Sequence, residues 1–179
     1  MQDHVATILD QWRSQRPDLD VSPVGVFGRI SRIDRRKAAA LREVYRRHDC
    51  DAGDYDVLAA LRRSGPPHKL TPTELSRTVL VSTATMTERL TRLEQRGLVL
   101  RTRSESDRRS VFVELTTAGR DLIDGAVQDL LAVETRLLDG LSEADRRALA
   151  RLLAKLAGGL DATEPAFQQG RGRAAEGDA

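Results

Sequence analysis

A mainly α-helical chain carrying one small β-hairpin is the fold this sequence predicts, and three observations predict it. Apolar residues recur at helical spacing through most of the chain. That spacing gives way to alternation only in "LVLRTR" and "SVFVELT", Leu98–Arg103 and Ser110–Thr116. Two capped helices lead directly into the hairpin. Helix, turn, helix and hairpin in this order make a winged helix-turn-helix, and the long helices on either side of it are placed to dimerise two copies.

Val5, Ile8, Leu9 and Trp12 fall at i, i+3, i+4 and i+7, which predicts a first helix from about Asp3 to Arg16 with Trp12 on its buried stripe. "RPDLDVSP" interrupts it, and Ser22 with Pro23 forms a cap and first-turn pair for the next helix. That second helix carries Val26, Ile30, Ile33, Leu41 and Val44 and runs to about Arg47. A third begins at Asp51 or Asp54, carries Tyr55, Val57, Leu58 and Leu61, and stops at "SGPP".

"TPTEL" supplies Thr71 as cap, Pro72 at the first position and Glu74 three residues after the cap, a capping box. The short helix it opens ends near Val79. Ser82 caps the following helix, whose buried face is marked by Met86, Leu90, Leu93 and Leu98 and whose end is Gly97. Arg89 lies on or beside that apolar stripe, where a guanidinium is costly without a partner. After the hairpin, Thr116 or Thr117 caps a run with Leu122, Ile123, Ala126, Val127, Leu130, Leu131, Leu137 and Leu138. Ser142 caps a last helix with Leu149, Leu152, Leu153 and Leu156. Such faces need cover, and a second copy of the chain is the expected partner.

The organisation read from these elements is an N-terminal helix and loop (1–22), a dimerisation and core helix (23–50), a winged helix-turn-helix DNA-binding domain (51–118), C-terminal dimerisation helices (119–162) and a disordered tail (163–179). At 179 residues the chain is long enough for one good core. No apolar run approaches a membrane span, and the N-terminus lacks a signal-peptide core. The single cysteine, Cys50, excludes an internal disulfide and suits a reducing cytoplasm.

A net charge of +2 says little by itself, but its distribution is uneven. Residues 89–109 hold seven arginines against three acids, whereas residues 121–145 hold seven acids and one arginine. The basic excess is a local footprint of the kind nucleic acid requires. A recognition helix enters the major groove by its N-terminal residues, here Ser82, Thr83, Thr85 and Thr87. Arg92 and Arg96 lie farther along, at phosphate reach. Arg103, Arg108 and Arg109 at the hairpin tip are placed for backbone or minor-groove contact. Asp107 and Arg109 are read as a pair that fixes the shape of the tip.

A recognition helix ending "LEQRGLV", a wing reading "SDRRSVFVELTTAGRDL" and long flanking helices together resemble the MarR family of bacterial regulators, from about Pro23 to Leu160. The resemblance implies a homodimer, a palindromic operator in double-stranded DNA, and repression relieved by a small effector. The additional N-terminal helix with its tryptophan is similar to the urate-responsive, PecS-like branch. That similarity implies a ligand site at Trp12, Asp56, Arg63 and Arg89, with urate or a related anionic aromatic as effector.

The residues lend this site a rationale of their own. Asp56 and Arg63 share one stripe of the third helix, with the small Ala59 and Ala60 beside them. A planar anionic heterocycle suits stacking on Trp12 and paired donors from Arg63. Arg89 is expected to be held by Asp56 in the free protein, and a ligand beside Arg63 would disturb that link.

No metal or cofactor is expected. His4, His48 and His68 are scattered, and neither a nucleophile motif nor a glycine-rich phosphate loop is present, so the chain is not expected to be an enzyme. Two other readings stay open: thiol-based redox sensing through Cys50, and a non-catalytic helical bundle that binds a partner.

Overall fold

The computed structural model describes residues 3–103 and 111–173, with side-chain surroundings described through residue 160. Helix α1 (His4–Gln15) is capped by Asp3, whose carboxylate accepts the Val5 N–H at 3.1 Å. Val5 and Leu9 are buried with Val21, against the start of α2 (Ser22–Arg47). Here the local chemistry differs from expectation. Ser22 does not cap α2; the cap position is Val21, which makes no side-chain bond. Asp20 instead accepts both the N–H and the hydroxyl of Ser22, at 2.9 and 3.0 Å, because a carboxylate two residues upstream offers two acceptors to the same turn.

Asp51 caps α3 (Ala52–Arg63) by accepting the Asp54 N–H at 2.7 Å. The face of α3 that carries Val57, Leu58 and Leu61 is wholly buried. Around it pack Leu75 of α4 (Pro72–Thr78) and Met86, Leu90 and Leu93 of α5 (Thr83–Gln95). The capping box of α4 forms in both directions, between Thr71 and Glu74. At the other end of α2, His48 Nε2 and Arg47 Nη1 reach Asp129 at 2.9 and 3.1 Å, joining α2 to α6 (Thr117–Leu137).

Gly97 ends α5 in the left-handed region, at φ +68°, where glycine carries no Cβ penalty. The chain then pairs as an antiparallel hairpin of β2 (Val99–Arg103) and β3 (Val111–Leu115), registering Val99 with Leu115 and Arg103 with Val111. The sequence reading had no counterpart for β1 (Lys69–Leu70), which adds to the free edge of β3 and gives the order β1–β3–β2. Two residues are too few to display a period. Lys69 and Glu114, opposite one another, form an ion pair at 2.8 Å.

The chain divides into two compact units, Met1–Glu134 and Thr135–Ala179. In the second, Ser142 accepts the Asp145 N–H at 3.2 Å and α7 runs Glu143–Arg173, past Thr163, where the sequence reading begins a disordered tail.

The start of α6 is held against the end of the α5–β2 turn. Thr116 Oγ1 donates to the Gly97 carbonyl at 2.7 Å and accepts the Gly119 N–H at 3.0 Å. A Cβ at Gly119 would lie 2.0 Å from the Leu98 carbonyl oxygen, an approach that only glycine permits. Gly119→Ala is therefore expected to cost about 1–3 kcal/mol in urea unfolding, as overpacking against backbone does. Gly140→Ala, with open space around the added methyl, should stay within about 0.5 kcal/mol of wild type.

Candidate nucleic-acid interface and ligand cleft

The buried stripe of α5 decides which of its residues face outward. With Met86, Leu90 and Leu93 in the core, Ser82, Thr83 and Thr87 are exposed and Thr85 is half-buried. Their hydroxyls are already partly used. Ser82 Oγ accepts the Thr85 N–H at 3.2 Å and meets Thr85 Oγ1 at 2.9 Å, so the cap also organises the first turn. Thr87 Oγ1 donates back to the Thr83 carbonyl at 2.9 Å. Thr87 Oγ1, a donor in that bond, retains acceptor capacity toward an incoming donor.

Arg103 ends β2 and is exposed; Arg108, Arg109 and Asp107 lie outside the described residues. A contact unseen in the sequence joins β2 to α5. Arg101 Nη2 donates to Thr91 Oγ1 at 3.1 Å, and its Nε lies 3.4 Å from Glu94.

Arg92 and Arg96 both turn back onto the first turn of α3. Arg92 Nη2 meets Asp54 Oδ1 at 2.6 Å and Asp51 Oδ2 at 2.9 Å. Arg96 Nη1 meets Asp54 Oδ2 at 3.0 Å, and its Nη2 reaches Asp49 Oδ2 at 3.2 Å and donates to the Asp49 carbonyl. The reason is Asp54, a carboxylate with 3% of its side chain exposed and therefore in need of charged donors. Spacing of four places both arginines on one face of α5, where a single carboxylate can take one from each oxygen. The hydrogen bond that Arg92 donates to Asp54 raises the Arg92 pKa, against the opposing effect of partial burial.

The four residues of the expected ligand site are only partly brought together. Arg89 is half-buried and lies over Gly53; a Cβ there would come within 2.6 Å of the guanidinium carbon. Asp56 feels it: burial raises the Asp56 pKa, while the charges of Arg89, Arg63 and Lys37 pull the other way. Among the described residues, however, no ion pair joins Arg89 to Asp56, and the expected direct link is absent. Trp12 is 47% exposed, not on a buried stripe, because the α1–α2 contact covers Val5 and Leu9 and stops short of it.

Asp56 lines an open cleft of about 770 Å³ beside α2 and the start of α3, shared with Lys37, Leu41, Tyr45, Cys50 and Asp51. Tyr45 packs on Tyr55 with ring centres 5.8 Å apart. Neither Tyr45 nor Lys37 carried a signal in the sequence, since single residues on a long basic helix look like ordinary surface. Burial pushes the Cys50 thiol up to about 11, with Asp54 adding to the effect and Arg96 opposing it. A thiol so placed is largely protonated near neutrality and a poor nucleophile.

The folded Asp56 carboxyl holds its proton more tightly than the unfolded one, so ionising it costs stability as pH rises past the ordinary value of 3.8. Asp56→Asn should therefore melt at a higher temperature than wild type at pH 7, the gap closing as the pH is lowered toward 3.8. Alkylation of Cys50 by iodoacetamide should be slower than that of free cysteine at pH 7 and accelerate only as the pH approaches about 11.

A model of the MarR family matches residues 51–111, the segment from the cap of α3 to the start of β3. The HTH-type transcriptional regulator PecS of Dickeya dadantii is 38% identical over 152 residues, covering 85% of this chain and 92% of that one. Among solved structures, BpsR of Bordetella bronchiseptica, whose DNA binding is regulated by 6-hydroxynicotinic acid, is similar with a TM-score of 0.66 and 27% identity, over 74% of this chain and 92% of its own. A mutant MarR from E. coli in complex with operator DNA gives 0.67 and 27%, over 77% and 99%. By its sequence, its helix-turn-helix and its wing, the chain belongs to the MarR family of transcriptional regulators.

Proposed function

We propose that this regulator is a repressor that binds a palindromic operator as a homodimer and releases it when a small anionic aromatic ligand, such as urate, enters the cleft beside α2 and α3. The observation that carries this reading is Asp56. One carboxylate on α3 lines the cleft and feels both Arg63 of its own helix and Arg89 of the recognition helix. An anion taken up beside Asp56 is repelled by it and attracted by the two arginines, so binding shifts the charge balance that holds Arg89 over Gly53. Trp12, exposed on α1, supplies a flat face that closes over the ligand. The ligand lowers operator affinity only to the extent that it binds the DNA-competent form less well.

Operator contact is assigned to Ser82, Thr83, Thr85 and Thr87 in the major groove, with the wing arginines Arg103, Arg108 and Arg109 on the backbone. Exposed apolar side chains support a dimer. Val26, Phe27 and Ile33 of α2 are 50%, 47% and 62% exposed, and Leu152 of α7 is 66% exposed, more apolar surface than single helices carry in water. Two-fold symmetry in the protein then asks for two-fold symmetry in the operator. The similarity to BpsR supports a planar, acidic heterocycle as the effector class, and the similarity to PecS supports the assignment as a regulator.

A duplex drawn from the DNA upstream of the protein's own gene should be shifted at low salt, with affinity falling steeply as salt rises. Titrating urate, and in parallel 6-hydroxynicotinate, into the complex should release it with a coupling of about 5- to 150-fold. Retention of the complex at millimolar urate would remove urate as the effector. Arg89→Ala should bind DNA but no longer answer the ligand; a wild-type response would break the relay.

A further inference from the structure

The pairing of α5 with α3 through one carboxylate reaches beyond the ligand cleft. Asp54 combines deep burial with ion pairs from Arg92 and Arg96, and its two oxygens are divided between them. Asp51 adds a second acceptor for Arg92, and the Asp49 carbonyl and carboxylate hold Arg96. Arg92 lies within the last turn of α5, and Arg96 is its C-cap. The contact therefore grips the helix at the end opposite Ser82 and Thr83, which are the residues assigned to bases.

A rod held firmly at one end is aimed at the other. Arginine is suited to this task, because its planar fork fixes direction as well as distance. Core packing of Met86, Leu90 and Leu93 sets the depth of α5, but apolar contacts are non-directional and tolerate small rotations. Hydrogen bonds to one buried carboxylate do not. The two guanidiniums are positive charges that a phosphate would otherwise attract.

We propose that Asp54 is a positioning residue for DNA recognition: by holding Arg92 and Arg96 it fixes the orientation of α5 and keeps both guanidiniums off the phosphates, so that sequence is read by the N-terminal hydroxyl turn. The proposal rests on the reading of α5 as the recognition helix. It assigns Asp54 no contact with DNA; it acts through the two arginines.

The test compares full-length wild type, Asp54→Asn and Arg92→Gln on two labelled duplexes, one from the DNA upstream of the protein's own gene and one of random sequence and equal length, over a salt series. A wild type that fails to distinguish the duplexes overturns the recognition-helix reading, and the proposal with it. With a discriminating wild type, Asp54→Asn should lose about tenfold or more of the affinity ratio, the scale of losing one well-placed base contact, while the freed guanidiniums hold or raise its affinity for the random duplex. A reduced folded fraction would lower both affinities alike, so an unchanged ratio overturns the proposal.

Where Asp54→Asn does not fold by circular dichroism, Arg92→Gln decides, because Arg96 still covers the carboxylate. An unchanged slope of log affinity against log salt is the expected result. A slope shallower by about 0.9 would mean that Arg92 neutralises a phosphate, which overturns the proposal.

Discussion

Asp54 sits in the first turn of α3 with 3% of its side chain exposed, and an ionised carboxylate so placed is tolerable only with charged donors on both oxygens. Arg92 and Arg96 supply them from the neighbouring helix. Much of the DNA-binding unit is arranged consistently with that requirement. The two arginines can meet one carboxylate only if α5 lies across the start of α3, and that crossing carries Met86, Leu90 and Leu93 into the core beside Leu58 and Leu61. Charge and packing thus select the same orientation from opposite sides of the helix.

With one flank of α5 committed to Asp54 and another to the core, the face left for solvent is the hydroxyl-rich one. The wing is tied to the same helix through Arg101, which reaches both Thr91 and Glu94. Helix and wing therefore form one surface. Arg89 occupies the remaining inner edge, beside Gly53 and within the field of Asp56. The cleft beside α2 and α3 reaches this region through Asp51 and Asp56, so a charge placed in it is felt by the helix without touching it.

The features legible in the sequence were those written within a few residues. Thr71 and Glu74 form the box their spacing announces, Ser82 caps α5, and Gly97 ends it with a positive φ. The alternation of Leu98–Arg103 and Ser110–Thr116 is matched by a paired hairpin. What escaped was set by neighbours distant along the chain. β1 exists because β3 has an edge to offer, Trp12 stays exposed because none of the described residues covers the last turn of α1, and Asp54 looked like one more aspartate near a helix start. Arg92 and Arg96 read as phosphate contacts because an arginine on an outer helix face shows no partner until another helix arrives.

Residue order alone was enough to specify most of the helices, the caps at Thr71 and Ser82, the hairpin and the family, since each rests on local periodicity or on a motif a few residues long. Tertiary structure alone decided which charges stand free and which are spent. Arg103 ends at solvent, Arg92 and Arg96 end at Asp54, and Arg89 stops beside Asp56 without bonding it. The physical reason is that a charged side chain is long, and its partner is chosen by distances of about 3 Å between segments some forty residues apart, which no spacing along the chain records.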